Sequence, residues 1–155
     1  MRKWQVNDDH RKMKNTIYSI GHQGYPFWYF LSTLRQHKID TIIDIRGHAI
    51  CRKTGFSKNS LPVNLNNAGI EYENIPELGC KKEIRDRFAE TGDINEYKNS
   101  YLNSLANKEE SLSRLISLAN QSNCVMMAFD AAHEQCHRHF IGEELKEYLY
   151  VCHLS

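Results

Sequence analysis

Two short stretches hold most of the side chains that could do chemistry. Asp44-Ile45-Arg46 sets a carboxylate two residues from a guanidinium at the end of an apolar run. An acidic group there is costly unless it is paired or reaches the solvent edge. It can be an active-site carboxylate with Arg46 as an anion clamp, or a strand-end aspartate paired with an arginine. Cys136-His137-Arg138-His139 opens a helical stripe. Helix N-termini carry unsatisfied N–H groups and about half a positive charge, which suits anions such as phosphate. Arg138 would add bidentate oxyanion recognition, and His137 a donor or proton shuttle. Cys136 in that setting is expected to have a lowered pKa and nucleophilic thiolate character. The alternatives are a capping cysteine followed by surface residues, or metal ligation by the Cys and His side chains. Adjacent residues rarely aim at one ion, so no metal site is expected.

Three further features join these candidates. The segment from Arg46 to Lys58 is a basic loop with Arg46, Arg52, Lys53, Lys58 and two glycines, and it holds no glycine-rich phosphate-loop pattern. Arg52 there suits phosphate or nucleic-acid contact, and Phe56 is either a platform for base stacking or a core residue. His22 follows the first strand and is an acid–base group or a hydrogen-bonded structural histidine. Asp130 follows the last apolar strand-like run, Cys124 to Phe129.

The elements that must position these groups follow from periodicity. Thr16 to Ile20 reads as a strand ended by Gly21, and Ile39 to Ile45 as a buried β-branched strand. Between them Phe27, Phe30, Leu31 and Leu34 make a helical stripe opened by Pro26. Ser60 to Ala68 forms a short helix ended by Gly69, and Ile70 to Ile75 a third strand. Glu83 to Leu118 reads as two or three helices broken near Thr91-Gly92-Asp93 and Asn107-Lys108. After the Cys124 strand, Phe140, Ile141, Leu145, Tyr148 and Leu149 make another helical stripe, and Tyr150 to Leu154 a last strand. Alternating strands and helices predict an α/β fold: a single domain with a mostly parallel sheet flanked by helices. In such sheets ligands bind beyond the carboxyl ends of the strands. That edge should gather His22, Asp44, Arg46, Asp130, Cys136, His137 and Arg138.

Composition bounds the function. The 155 residues suffice for one sizeable domain over residues 15–155, preceded by a polar arm over residues 1–14. Twenty Lys and Arg against nineteen Asp and Glu leave a net charge of +1, which excludes a protein held on nucleic acid by bulk positive charge. No apolar run approaches the ~20 residues of a membrane-spanning helix, and Met1 to Lys14 lacks the apolar core of a secretory signal. A soluble, cytoplasmic protein with no membrane partner is expected. The five cysteines have an odd count and no Cys-x-x-Cys pair, so they read as free thiols.

Taken in order, Ser19-Ile20-Gly21-His22, Asp44-Ile45-Arg46, Arg52 with Gly55-Phe56-Ser57, Pro76-Glu77-Leu78-Gly79, Cys136-His137-Arg138 and the terminal Val151-Cys152-His153-Leu154 resemble the domain of unknown function 488 (DUF488) family. The resemblance implies an α/β domain from about Lys14 to the end and little about activity. Members usually carry Cys-x-Glu at the end of the fourth strand, where this chain has Ala128-Phe129-Asp130, and Ala49 and Cys51 replace the family's proline and serine in the basic loop. An Asp-x-Arg after an early strand is also found in rhodanese-like domains.

These readings converge on a hydrolase or group transferase acting on a phosphate-bearing substrate, a nucleotide or nucleic acid. Asp44, Asp130, His22, Cys136 and His137 are the candidate catalytic residues, and Arg46, Arg52, Phe56 and Arg138 the candidate substrate contacts. No dinucleotide fingerprint follows the first strand, which favours hydrolysis or group transfer over redox chemistry and leaves the cofactor unknown. The alternatives are a non-catalytic nucleotide or nucleic-acid binding module that lost the family cysteine, and a rhodanese-like sulfur carrier using Cys136.

Overall fold

The computed structural model describes residues 14–47 and 53–154. Five strands form one sheet: β1 (Asn15–Gly21), β2 (Thr41–Asp44), β3 (Glu71–Asn74), β4 (Cys124–Ala128) and β5 (Leu149–His153). Their order is β3-β2-β4-β1-β5, and every pairing is parallel. The chain is therefore an α/β domain, as the alternation predicts. Parallel neighbours require crossovers. The helices that supply them are α1 (Phe27–Gln36), α2 (Ser60–Asn67), α3 (Lys82–Thr91), α4 (Ile94–Ser104), α5 (Glu109–Gln121) and α6 (His137–Leu145).

Side chains alternate along each strand, so the sheet has two apolar faces and two cores. On one face Ile20, Ile42, Val125 and Met127 meet Phe30 and Leu34 of α1 and Leu61 and Leu65 of α2. On the other, Ile17, Ile43, Ile45 and Met126 meet Tyr97 and Tyr101 of α4, Leu112 and Ile116 of α5, and Phe140 and Ile141 of α6. The breaks expected in the long helical stretch have local causes. Gly92 adopts a left-handed conformation (φ 66°) that ends α3, and the Asp93 carboxylate caps α4 by accepting hydrogen bonds from the backbone N–H groups of Asn95 and Glu96.

At the carboxyl edge, β2 hands the chain toward β3 while its neighbour β4 hands it the opposite way, toward β5. Among the described residues no helix is long and apolar enough to cross a membrane.

Candidate functional site

The described candidate residues lie at or past the carboxyl ends of the strands, but the alternation of the strands sorts them onto opposite faces of the sheet. Asp44 and Arg46 share the parity of Ile42, and His22 that of Ile20, so these three stand on the α1/α2 side with Phe56. Asp130 shares the parity of Ala128 and Met126 and stands on the α4–α6 side, where Cys136 also packs. Two clusters result.

In the first cluster Asp44 is fully buried and hydrogen-bonded throughout. It accepts from Arg46 Nε at 2.9 Å, Arg46 Nη2 at 2.8 Å, the Arg46 backbone N–H at 3.0 Å and the Tyr72 hydroxyl at 2.6 Å. This is a bidentate fork with two further donors, the Arg46 backbone N–H and the Tyr72 hydroxyl, on the same carboxylate. Arg46 also donates through Nη1 to the Phe56 carbonyl at 2.9 Å, which ties the basic loop to the end of β2. Phe56 takes the core alternative: it is buried and stacks on the His22 ring, with centroids 4.5 Å apart and planes at 14°. The Lys53 ammonium caps the assembly by donating to the His22 carbonyl and lying over the Phe56 ring. His22 is fully buried, and among the described residues neither ring nitrogen has a hydrogen-bond partner. Burial first, then the nearby Arg46 and Lys53 charges, pull its pKa down to about 4, so the ring is neutral. Arg52 and Cys51 lie outside the described residues.

In the second cluster the thiol expectation is overturned. Cys136 is buried, and desolvation pushes its pKa up to about 12 in spite of its place at the start of α6 and the Arg138 charge. A helix terminus lowers a thiol's pKa only where water or an ion can still reach the sulfur, and here burial outweighs it. Cys136 Sγ lies 3.7 Å from Nδ1 of His137, whose Nε2 reaches the Ile45 carbonyl at 3.1 Å. Donation by Nε2–H to that carbonyl leaves Nδ1 to accept the thiol proton. His137 is neutral too, its pKa lowered to about 4 chiefly by burial. Arg138 is buried and directs both terminal nitrogens inward, Nη1 to Ser19 Oγ at 3.2 Å and Nη2 to the carbonyls of Asp130 at 2.9 Å and Ala131 at 3.0 Å, while its Nε has no partner among the described residues. It pins the loop after β4 onto β1.

That loop runs so close to β1 that only glycine fits at position 21. A Cβ there would sit 1.7 Å from the Asp130 carbonyl oxygen. Two residues along, Gln23 donates its backbone N–H to the Phe129 carbonyl at 2.9 Å. Outside this junction opens a cavity of about 610 Å³ lined by Asp130, Gln23, Arg85, Tyr97 and Gln135, with Phe88 on its wall. Of the sequence candidates among the described residues, Asp130 alone lies on its lining. Spacing does not point to Arg85, Gln23 or Gln135, because nothing in the chain distinguishes them from surface polar residues. A smaller cleft of about 260 Å³ lies at the ends of β2 and β3, where Gly79 approaches the Gly47 backbone too closely for a side chain.

A family model described as "Domain of unknown function DUF488" matches residues 28–145, more than half of the chain. No match was found among curated proteins or among solved structures.

Proposed function

The chain belongs to the DUF488 family, and from that premise we propose that it is a hydrolase or group transferase for a phosphate-bearing substrate, a nucleotide or nucleic acid, bound in the cavity beyond β1 and β4. Asp130 is the carboxylate that takes the proton from the attacking group or orients it. Arg85 contacts the phosphate, and Gln23 and Gln135 supply neutral polar contacts. Tyr97 and Phe88, stacked with centroids 4.6 Å apart, give the cavity an aromatic wall. Asp44, Arg46 and Phe56 act as positioning residues for the basic loop. Arg138 does the same for the Asp130 segment, with Cys136 packed behind it, and His137 ties the start of α6 to the Ile45 carbonyl beyond β2.

One observation carries this reading: a carboxylate and a guanidinium lie on the lining of one polar cavity whose volume, about 610 Å³, is within the range of small-ligand sites. A second reading, a binding module without turnover, is favoured by Ala128 standing where the family usually has a cysteine. The buried, protonated Cys136 supports neither reading directly and weighs against a sulfur carrier.

Isothermal titration with AMP, ADP and inorganic phosphate, followed by a phosphate-release assay, tests the proposal. The expected result is binding that Arg85→Ala weakens about tenfold, and turnover that Asp130→Asn removes while binding persists. Binding without turnover by the unmodified chain selects the module. Absence of binding refutes both readings.

A further inference from the structure

Away from that cavity, three histidines from three elements meet beyond β5. His133 lies on the turn before α6, His139 in the first turn of α6, and His153 at the end of β5. A ligand atom from each lies within 4.8 Å of those from the other two. All three are partly exposed, so an ion has a path in. From this arrangement we infer that His133, His139 and His153 form a binding site for a divalent transition-metal ion of the zinc class, with one coordination position left for water.

The hydrogen bonds around the cluster point to a cation. His133 Nε2 faces Glu134 Oε1 at 3.1 Å, and His139 Nε2 faces Glu143 Oε1 at 3.3 Å. Each carboxylate draws the neutral ring's single proton to Nε2, leaving a lone pair on Nδ1. Yet the two Nδ1 atoms face each other at 3.2 Å. With both protons on the far nitrogens, that contact sets lone pair against lone pair, and a cation between them removes the repulsion. The separation also suits the ion: tetrahedral Zn–N bonds of about 2.0–2.1 Å put neighbouring nitrogens about 3.3 Å apart. Carboxylates on the outer nitrogens of ligating histidines are the usual means of fixing the tautomer. Ser19 Oγ holds His153 Nδ1, leaving Nε2 as the ligand atom of the third ring.

One adjustment is required. The His133 and His153 rings lie stacked, with centroids 3.9 Å apart and planes at 7°, and parallel rings cannot both aim at one ion. His133, on a three-residue turn, turns about its Cβ–Cγ bond. That rotation swings Nδ1, which lies off the Cβ–Cγ axis, so His133 meets the ion from the turned ring and not from the stacked one. The sequence does not betray the site, because His133 and His139 are six residues apart and His153 belongs to a separate strand.

The test is titration of the metal-stripped full chain with Zn²⁺ against a chromophoric chelator, and with Co²⁺ followed by visible absorption. The expected result is one tight equivalent and a tetrahedral Co²⁺ spectrum without a thiolate charge-transfer band. His139→Gln and His153→Gln should each weaken Zn²⁺ binding by more than about 100-fold, and Glu143→Gln by at least about tenfold. Cys152→Ser, beside His153, should change nothing. Melting of each variant without metal, compared with the unmodified chain, separates lost ligation from lost folding, and the Co²⁺ spectrum of the unmodified chain needs no variant. The inference is overturned if no tight equivalent binds, if the histidine variants keep it, or if a thiolate band shows that cysteines hold the ion.

Discussion

Asp44→Asn separates a reacting carboxylate from a structural one. Asn keeps the shape of Asp44 but removes the charge that faces Arg46, and it replaces one acceptor oxygen by an NH₂ that meets donors. The Asp44 oxygens accept four hydrogen bonds, from Arg46 Nε, Arg46 Nη2, the Arg46 backbone and the Tyr72 hydroxyl. Both members of the ion pair are buried, with side-chain exposures of 0% for Asp44 and 7% for Arg46. Removing one partner of a buried pair leaves the other charge uncompensated, at a cost of about 3–5 kcal/mol. For a chain of this size that lowers Tm by roughly 6–20 °C. The basic loop should loosen with it, because Arg46 also holds the Phe56 carbonyl. Urea and thermal unfolding of the two proteins measure the cost, and a double-mutant cycle with Arg46→Gln isolates the pair. A stability change below about 1 kcal/mol, with ligand binding or turnover abolished, would refute the structural assignment and return Asp44 to the reaction.

Three further outcomes follow from the same geometry. Gly21→Ala places a methyl 1.7 Å from the Asp130 carbonyl, so the loop carrying Asp130 must move; a loss of about 1–3 kcal/mol together with weakened ligand binding is expected, and unchanged binding and stability would contradict the close approach. Cys136, with its pKa pushed up to about 12, should resist thiol reagents at pH 8 while exposed Cys152 is labelled, and peptide mass mapping that finds Cys136 modified in the folded chain would contradict its burial. His22 and His137, both with pKa values lowered from 6.5 to about 4, bind protons less readily folded than unfolded. Their contribution is complete above pH 6.5 and is lost as pH falls through about 4, by about 3 kcal/mol for each. Urea midpoints that stay level between pH 7 and pH 4.5 would show that neither ring is buried neutral.

The fold is legible in the chain because its signals are local and agree with one another. The β-branched run at Ile39–Ile45, the apolar run at Cys124–Phe129, the Phe27–Leu34 stripe and the Thr91-Gly92-Asp93 break each announce an element or its end. Edge placement is also legible, since parallel strands send every following loop the same way. What reading by edge alone misses is the face. Asp44 and Asp130 both close strands, but Asp44 keeps step with Ile42 and Asp130 with Met126, and these point to opposite sides of the sheet. Strand parity is the signal that separates them. The pKa of Cys136 goes the other way from its expectation because the rule for helix termini assumes an accessible thiol, and how deeply α6 packs onto the sheet is a tertiary fact. Arg85 and the His133–His139–His153 cluster cannot be found by spacing. They depend on how α3 leans on α4 and on where β5 ends beside β1.

The proposal that the cavity beyond β1 and β4 takes a phosphate-bearing ligand is tested most directly by amide chemical-shift mapping. AMP, with inorganic phosphate as its comparison, is titrated into isotope-labelled full-length protein. The predicted result is saturable shifts confined to Gln23, Arg85, Asp130, Gln135 and their neighbours, larger for the nucleotide than for phosphate alone. Shifts confined to another surface, or none at all, would contradict it.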